Sequence, residues 1–249
     1  MKALIFDVDG TMAETERDAH RVAFNETFAE YKLDWHWSVE LYGELLAVTG
    51  GKERIKFYLE RDRPDYIPPV NLDAFIAELH QNKTAHYNEL LARHPIPLRP
   101  GVRRLLEEAR REGLQLAIAT TTSPRNVISL LEHSLSPDSV AWFEVIAAGD
   151  IVSAKKPASD IYDYALKKLG LKAEQCIAFE DSGNGIRSAR AAGLSTIITI
   201  NDYTRDEDFT GASLVLDHLG EPDQPFTVLS GEVGNARYVD LALLRRFIC

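Results

Sequence analysis

The sequence predicts an α/β fold, with a doubly wound parallel sheet as its core and an α-helical cap domain inserted after the first strand. Beyond residue 101, short apolar runs alternate with amphipathic segments, which is typical of parallel strands covered by helices on both faces. Residues 14–97 instead have a helical pattern, interrupted by glycines and prolines. We therefore expect residues 1–13 and 98–249 to form the core and residues 14–97 to form the cap.

Six apolar segments of the core are too short for helices and are predicted to be strands. They are residues 2–8, 115–120, 145–148, 176–180, 196–200 and 213–216. Helices are predicted between them, from residue 102 to a stop at Gly113, from Pro124, from a Ser159 cap to Gly170, and up to Gly193. This alternation predicts a Rossmann-like sheet. Residues 239–248 are predicted to be a packed terminal helix, with a subunit contact as the alternative.

The net charge of the chain is −10, from 28 basic and 38 acidic residues. This balance argues against nucleic acid as a partner, because a phosphate backbone requires patches of Lys and Arg. No apolar run approaches the ~20 residues of a transmembrane helix, and the segment after Met1 lacks the pattern of a signal peptide. Cys176 and Cys249 have no metal-binding or redox spacing. We expect a cytoplasmic monomer that binds neither nucleic acid nor membranes.

Ligands of an open parallel sheet bind beyond the carboxyl ends of its strands, so the polar residues at those ends are candidate site residues. They are Asp7 and Asp9 after the first strand, Thr120 after the second, Lys155 and Lys156 in the loop after the third, and Glu180 and Asp181 after the fourth. We expect four carboxylates, a hydroxyl and a lysine to converge. Carboxylates that are so close require a cation, and oxygen ligands suit Mg²⁺. A metal and a lysine that face one anion-sized space indicate phosphoryl transfer.

Four short motifs carry a family resemblance. Asp-Val-Asp-Gly-Thr at 7–11, Thr120 after Ile-Ala, Lys156 before Pro157, and Glu-Asp-Ser at 180–182 resemble the signature motifs of the haloacid dehalogenase superfamily, in the same order. The resemblance implies a phosphatase rather than a dehalogenase. Aspartates stand at both positions of the first motif, and dehalogenation has no leaving alcohol for the second aspartate to protonate.

The same resemblance implies a role for each motif residue. Asp7 would be the nucleophile that attacks phosphorus, and Asp9 the general acid that protonates the leaving alcohol and then activates water. Thr120 and Lys156 would hold the phosphoryl oxygens. Mg²⁺ would be held by the Asp7 carboxylate, the Asp9 backbone carbonyl and Asp181, with Glu180 as a further ligand or an anchor.

The cap contains a candidate anion site. Gly50 and Gly51 offer flexible backbone at the start of a helix, and Lys52 and Arg54 add two cations. With a phosphatase core opposite, we interpret this block as the site for a second phosphate of the substrate, rather than as a solvated helix start. Tyr42 either adds a hydroxyl to the same pocket or packs in the cap core.

Longer segments resemble a narrower group, the CbbY proteins. They are residues 13–17 and 20–28, the Gly-Gly-Lys-Glu-Arg-Ile block at 50–55, Ala-Thr-Thr-Thr-Ser at 119–123, and the segment that runs from Ala147 through Tyr162. The resemblance extends through cap and core to about Phe209. It implies that the substrate is xylulose-1,5-bisphosphate, an inhibitor of Rubisco, and that the product is xylulose 5-phosphate, which can re-enter the Calvin cycle.

The CbbY resemblance also implies substrate contacts. Glu16 would bind hydroxyl groups of the sugar, Lys52 and Arg54 the distal phosphate, and the Thr121–Thr122 pair further atoms of the substrate. His20 follows Glu16 on the same helix face and is a further candidate. Three residues separate this pair where some relatives have two, which predicts that His20 is rotated around the helix.

Three alternatives stay open on the sequence. A β-phosphoglucomutase uses the same motifs but returns the phosphoryl group to its substrate. Another sugar-phosphate or 2-phosphoglycolate phosphatase also fits, and the sequence does not distinguish bisphosphate stereoisomers. An inert regulatory module on the same fold is the non-enzyme alternative, against which the intact Asp7, Asp9, Lys156 and Asp181 argue.

Overall fold

The computed structural model describes residues 1–68 and 71–248, and within these ranges it contains a seven-stranded sheet. The strands are β1 (Ala3–Phe6), β2 (Gln115–Thr120), β3 (Val145–Ala148), β4 (Cys176–Glu180), β5 (Ser195–Thr199), β6 (Leu214–Leu216) and β7 (Val228–Ser230). Their order is β3-β2-β1-β4-β5-β6-β7, and every neighbouring pair is parallel except β6 and β7. The predicted parallel sheet is confirmed, whereas β7, a short exposed edge strand, was not predicted.

Helices cover both faces of the sheet and form the predicted insertion. They are α1 (Arg21–Glu30), α2 (Val39–Leu45), α3 (Gly51–Asp62), α4 (Leu72–Arg93), α5 (Val102–Arg111), α6 (Pro124–Leu130), α7 (Asp160–Leu169), α8 (Gly183–Ala191) and α9 (Leu241–Leu244). The first four lie between β1 and β2 in the chain. In the described part of the chain, no helix combines the length and apolarity needed to cross a bilayer.

β1 shows why the strands are continuous apolar runs. It lies in the middle of the sheet, where successive side chains point to opposite faces and helices cover both of them. Leu4 and Phe6 belong to the larger hydrophobic cluster on one face, whereas Ala3 and Ile5 belong to the cluster on the other. All four side chains are fully buried. Asp7 directly follows this buried strand and therefore lies at the carboxyl edge of the sheet.

The predicted helix ends were right at α5 and wrong in one detail at α7. Gly113 has a φ of +72° just beyond α5, as expected of a glycine that ends a helix. Ser159 precedes α7, but its hydroxyl donates to the Asp163 carboxylate at 2.6 Å and makes no cap to the backbone. A nearby carboxylate acceptor has replaced the predicted capping bond.

The helical insertion has a hydrophobic cluster of its own, in which the rings of Phe24, Phe28, Trp35 and Trp37 pack against one another in tilted and edge-to-face arrangements. The chain leaves the core and returns at adjacent points, because Ala13 pairs with Leu98 in an antiparallel bridge. We propose the domain boundaries at 13/14 and 97/98 on this basis. The C-terminal part of α4 packs against the core domain as well as the cap, since Tyr87 and Leu91 belong to the main hydrophobic cluster of the core.

The C-terminal segment packs on the core, but it is less helical than predicted. Only α9 and one following 3₁₀ turn, Arg245–Phe247, are helical within residues 239–248. Val239, Leu241 and Leu244 are buried in the main cluster beside α5. The apolar run therefore belongs to the core of its own chain.

Candidate active site

Asp7, Lys156 and Glu180 meet at the carboxyl edge of the sheet. The Lys156 ammonium donates to Asp7 Oδ1 and to Glu180 Oε1, each at 2.6 Å. Tyr162 of α7 donates its hydroxyl to the same Glu180 oxygen at 2.5 Å. All four side chains are buried. One fixed cation therefore faces two carboxylates, and a phosphate that bound here would meet the same cation.

The negative charge of this cluster exceeds its positive charge. Burial raises the pKa of Asp7 to about 7, and Glu180 contributes to the rise although Lys156 opposes it. Burial also raises the pKa of Asp181 well above its usual range, with further contributions from Asp7 and Glu180, while the Asn201 amide opposes the rise. For Lys156, burial opposes the charged form, but the two carboxylates outweigh it and raise its pKa. The site therefore favours an additional cation.

The donor atoms suit a divalent cation. Asp7, Glu180 and Asp181 each offer one oxygen, and the three oxygens lie within 4.8 Å of one another. Glu180 Oε2 is buried and has no hydrogen-bond partner among the described residues. Carboxylate oxygens with unmet bonding capacity are ligands that Mg²⁺ prefers. The residues present therefore fit the metal that the sequence predicts.

The carboxylate of Asp9 does not join this cluster, so three of the four expected carboxylates converge rather than all four. Its Oδ1 accepts hydrogen bonds from the Thr15 hydroxyl at 2.5 Å and from the cap residue His20, whose Nε2 lies 2.8 Å away. Burial acts to raise the pKa of Asp9, but His20 and Thr15 outweigh it and lower the pKa to about 2. The aspartate that resembles the acid–base group thus faces the cap instead of the metal ligands.

His20 reaches Asp9 because the preceding helix is wider than an α-helix. Residues Glu16–His20 form a π-helical turn, which accommodates an additional residue within one turn. The sequence predicts a rotation of His20 around the helix and leaves its role open, and in the structure His20 contacts the Asp9 carboxylate. The buried Lys83 ammonium contacts His20 Nδ1, so Nε2 carries the hydrogen that faces Asp9.

Lys83 was not predicted from the sequence, although a signal was present. It stands on the buried side of α4 in line with Leu79, Tyr87 and Leu91, four residues apart in each step. A lysine within such an apolar stripe is rarely buried without a partner. Burial lowers the pKa of Lys83 to about 8, while Glu16 and Asp9 oppose the effect.

A cavity of about 360 Å³ lies between the sheet edge and the cap. Among the predicted site residues, it is lined by Asp7, Asp9, Glu16, Arg54, Thr120, Thr121, Lys156, Glu180 and Asp181. Thr120 is buried at the end of β2, as the strand-end rule predicts. His20, Gly50, Gly51 and Thr122 line a small adjoining cavity, which shares Asp9, Glu16 and Arg54 with the main one.

The cap contributes a linked set of polar groups to the main cavity. Tyr42 donates its hydroxyl to Glu16 Oε2 at 2.5 Å, and Arg54 Nη1 donates to the Tyr42 oxygen at 2.8 Å. Only 7% of Arg54 is exposed, and its buried Nε has no partner among the described residues. The Tyr42 hydroxyl thus bonds to both Glu16 and Arg54, while the Tyr42 ring packs in the hydrophobic cluster of the helical insertion.

The structure separates Lys52 from Arg54, although the sequence predicts that both belong to one anion site. The Lys52 ammonium lies 2.7 Å from the carboxylate of Asp150 in the core, and 38% of its side chain is exposed. Lys155 binds the same carboxylate at 2.6 Å. Lys52 lines a smaller cavity than the one that contains Arg54. Helical geometry explains the separation, since residues two apart face different directions.

Comparison with known proteins identifies the family. A model of the haloacid dehalogenase-like hydrolases matches residues 1–193. The chain is 47% identical to protein CbbY (plasmid) of Cupriavidus necator over 247 residues, which cover 98% of this chain and 96% of that protein.

Two solved structures of CbbY from Rhodobacter sphaeroides superpose with a TM-score of 0.81, and each alignment covers 88% of this chain and 94% of the other. One is a complex with phosphate, at 47% identity, and the other is a mutant in complex with xylulose-(1,5)bisphosphate, at 46% identity. The chain therefore belongs to the haloacid dehalogenase-like hydrolases and, within them, to the CbbY-like phosphatases that act on sugar phosphates.

Proposed function

We propose that the protein is a Mg²⁺-dependent phosphatase that converts xylulose-1,5-bisphosphate to xylulose 5-phosphate through an aspartyl-phosphate on Asp7. The observation that carries the proposal is that one cavity contains two buried cations, Lys156 beside Asp7 and Arg54 in the cap. Two such cations suit a substrate with two phosphates. The complex of a CbbY relative with xylulose-(1,5)bisphosphate supports the same substrate.

The metal would be held by the carboxylates of Asp7 and Asp181 and the backbone carbonyl of Asp9, with Glu180 Oε2 as a further donor. When bound, Mg²⁺ supplies positive charge that favours the ionised carboxylates and offsets the charge of the phosphoryl group. Asp7 must be ionised to act as a nucleophile, and burial raises its pKa to about 7, so a bound cation would favour the reactive form.

In the first step, a carboxylate oxygen of Asp7 forms a bond to phosphorus while the bond from phosphorus to the sugar oxygen breaks. The electron pair of that bond passes to the sugar oxygen, which takes a proton from Asp9. Lys156 and Thr120 hold the phosphoryl oxygens. Asp9 is ionised in the free protein, but the negative charge of a bound phosphate raises the pKa of a neighbouring carboxyl and favours the protonated form.

In the second step, a water oxygen attacks the same phosphorus and the bond to Asp7 breaks, which releases phosphate and restores the carboxylate. Asp9 now takes a proton from the water, and its low pKa without substrate is consistent with that ionised state. His20 holds the Asp9 oxygen, and Lys83 holds His20. The cap thereby positions the acid–base group.

The remaining cap residues would recognise the sugar and its distal phosphate. Glu16 accepts a hydrogen bond from Tyr42 through Oε2, which leaves Oε1 for a sugar hydroxyl. Arg54 would bind the distal phosphate with its guanidinium group, whose Nε has no partner within residues 1–68 and 71–248. Removal of xylulose-1,5-bisphosphate would protect Rubisco from an inhibitor. The cytoplasmic location and monomeric state remain predictions.

The test is release of phosphate from a panel of sugar mono- and bisphosphates with Mg²⁺, for the wild-type protein and for Asp7→Asn. We expect the highest kcat/KM for xylulose-1,5-bisphosphate, loss of turnover in Asp7→Asn, and no turnover in EDTA. Turnover of monophosphates alone would refute the bisphosphate substrate but keep the mechanism. Formation of glucose 6-phosphate from β-glucose 1-phosphate would instead identify a mutase.

A further inference from the structure

Asn201 follows β5 at the carboxyl edge of the sheet and contacts a residue of the metal-binding cluster. Its side-chain Nδ2 donates to Asp181 Oδ2 at 2.7 Å. Both side chains are buried. The other Asp181 oxygen has only one contact with a described side chain, a 3.5 Å approach of the Thr11 hydroxyl. Asn201 is therefore the principal support of the Asp181 carboxylate.

The orientation of the Asn201 amide is fixed by its own loop. Its Oδ1 accepts the backbone N–H of Tyr203 at 2.9 Å, so the donor Nδ2 has to face Asp181. The Asn201 backbone N–H donates to the Thr204 hydroxyl at 3.0 Å, and the Thr204 N–H donates to the Asn201 carbonyl at 3.2 Å. These bonds form a tight turn that presents a donor and no acceptor to the carboxylate.

The opposite side of this contact is closed by the turn after Asp9. Gly10 has a φ of +80°, and a Cβ there would lie 2.2 Å from Asp181 Oδ2 and 2.7 Å from Asn201 Nδ2. The amide and the carboxylate thus pack directly on the Gly10 backbone and have no room to move towards it. The Gly10 backbone on one side and the loop of Asn201 on the other restrict the Asp181 carboxylate to one orientation.

We propose that Asn201 is a positioning residue, which orients Asp181 for Mg²⁺ and sets the affinity of the protein for the metal. The inference rests on the proposed function, because it assumes that Asp181 is a ligand of Mg²⁺. Residues that orient a metal ligand typically contribute a factor of about 10 to 100 in metal affinity when they are removed. Without the amide, the carboxylate rotates about its side-chain bonds and loses this orientation.

The test measures Mg²⁺ binding directly, by isothermal titration calorimetry on the full chain after treatment with EDTA, together with kcat as a function of Mg²⁺ concentration. For Asn201→Ala we expect a Kd for Mg²⁺ that is about 10- to 100-fold higher than in the wild type. At saturating Mg²⁺ we expect kcat to recover and KM for the sugar phosphate to stay unchanged. Asn201→Ser, whose hydroxyl is too short to reach Asp181, should behave in the same way and replaces the alanine variant if that one does not fold.

Two further variants distinguish an error in the proposed metal site from an error in the role of Asn201. Asp202→Asn changes an exposed charge in the same loop, with 76% of the side chain exposed, and should leave the Kd for Mg²⁺ unchanged. Asp181→Asn should abolish binding at every Mg²⁺ concentration. If Asp181→Asn binds Mg²⁺ as the wild type does, the proposed metal site is wrong. If it loses binding while Asn201→Ala and Asn201→Ser bind as the wild type does, the role of Asn201 is refuted and the metal site stands.

Discussion

Arg54 provides the sharpest test of the bisphosphate substrate, because Lys52 is a matched control in the same helix. Arg54 is buried beside the main cavity and its Nε has no partner among the described residues, whereas Lys52 is partly exposed and paired with Asp150. Both are cations in the first turn of α3. If the distal phosphate binds where the structure has a buried cation, only one of them determines specificity.

The expected magnitudes differ clearly. A hydrogen bond to a charged group contributes about 1.5–3 kcal/mol, which corresponds to roughly 10- to 150-fold in kcat/KM. Exposed ion pairs contribute about 0.2–1 kcal/mol, or at most a factor of roughly 5. Arg54→Ala should therefore lower kcat/KM for xylulose-1,5-bisphosphate at least 10-fold more than for a monophosphate such as fructose 1-phosphate. Lys52→Ala should change both by about the same small factor.

The assay is phosphate release under kcat/KM conditions, and the quantity to compare is the ratio of the two substrates for each variant. This ratio removes any general damage to Glu16 and Tyr42, which lose a partner in Arg54→Ala. An equal loss on both substrates would show that Arg54 supports the cap and does not bind the distal phosphate. A larger change of the ratio in Lys52→Ala than in Arg54→Ala would place the phosphate in the smaller cavity.

Three further predictions follow from buried groups. Lys83→Met should lower kcat by about 10-fold or more with little change in KM, because His20 loses the contact that fixes its tautomer; equal damage to KM would contradict this. Burial raises the pKa of Asp7 from 3.8 to about 7, so the folded metal-free protein holds this proton more tightly than the unfolded chain, and the resulting stability is lost as pH rises through about 7. Asp7→Asn lacks this titrating group, so its free energy of unfolding minus that of the wild type should rise by on the order of 2 kcal/mol between pH 5 and pH 8. The measurement is urea titration in EDTA at both pH values. The same difference at both pH values would refute the raised pKa of Asp7. Leu244→Ala should reduce the free energy of unfolding by about 2–5 kcal/mol, because Leu244 is fully buried in the core. An unchanged midpoint in urea would mean that the C-terminal segment does not belong to the core.

The strands and the core motifs could be predicted because a buried parallel strand is a local pattern. The first, second and fourth apolar runs end at the site, so Asp7, Thr120 and Glu180 could be placed at one edge of the sheet without any knowledge of long-range contacts. β7 is three residues long and exposed, and it therefore lacks the apolar pattern that reveals the other strands.

The residues that were missed depend on partners far along the chain. Lys83 contacts His20 across 63 positions, and only the apolar stripe of α4 signalled that it is buried. Asn201 also lies beyond the carboxyl end of a parallel strand, β5, and is therefore a position that the strand-end pattern can predict. The orientation of Asp9 towards the cap could not be predicted, because it depends on the π-helical turn before His20.

The place of β1 in the sheet has a consequence for biosynthesis. β1 is translated before both of its neighbours in the sheet, β2 and β4, which are made about 110 and 170 residues later. At roughly 5–20 residues per second, the strand waits on the order of 10–35 s for its second neighbour, while the helical insertion emerges and can collapse around its own aromatic cluster. Asp7 meets Glu180 only after this delay. Until β4 has emerged, the nascent chain is therefore an inactive protein with an incompletely paired apolar strand, the kind of segment that chaperones bind.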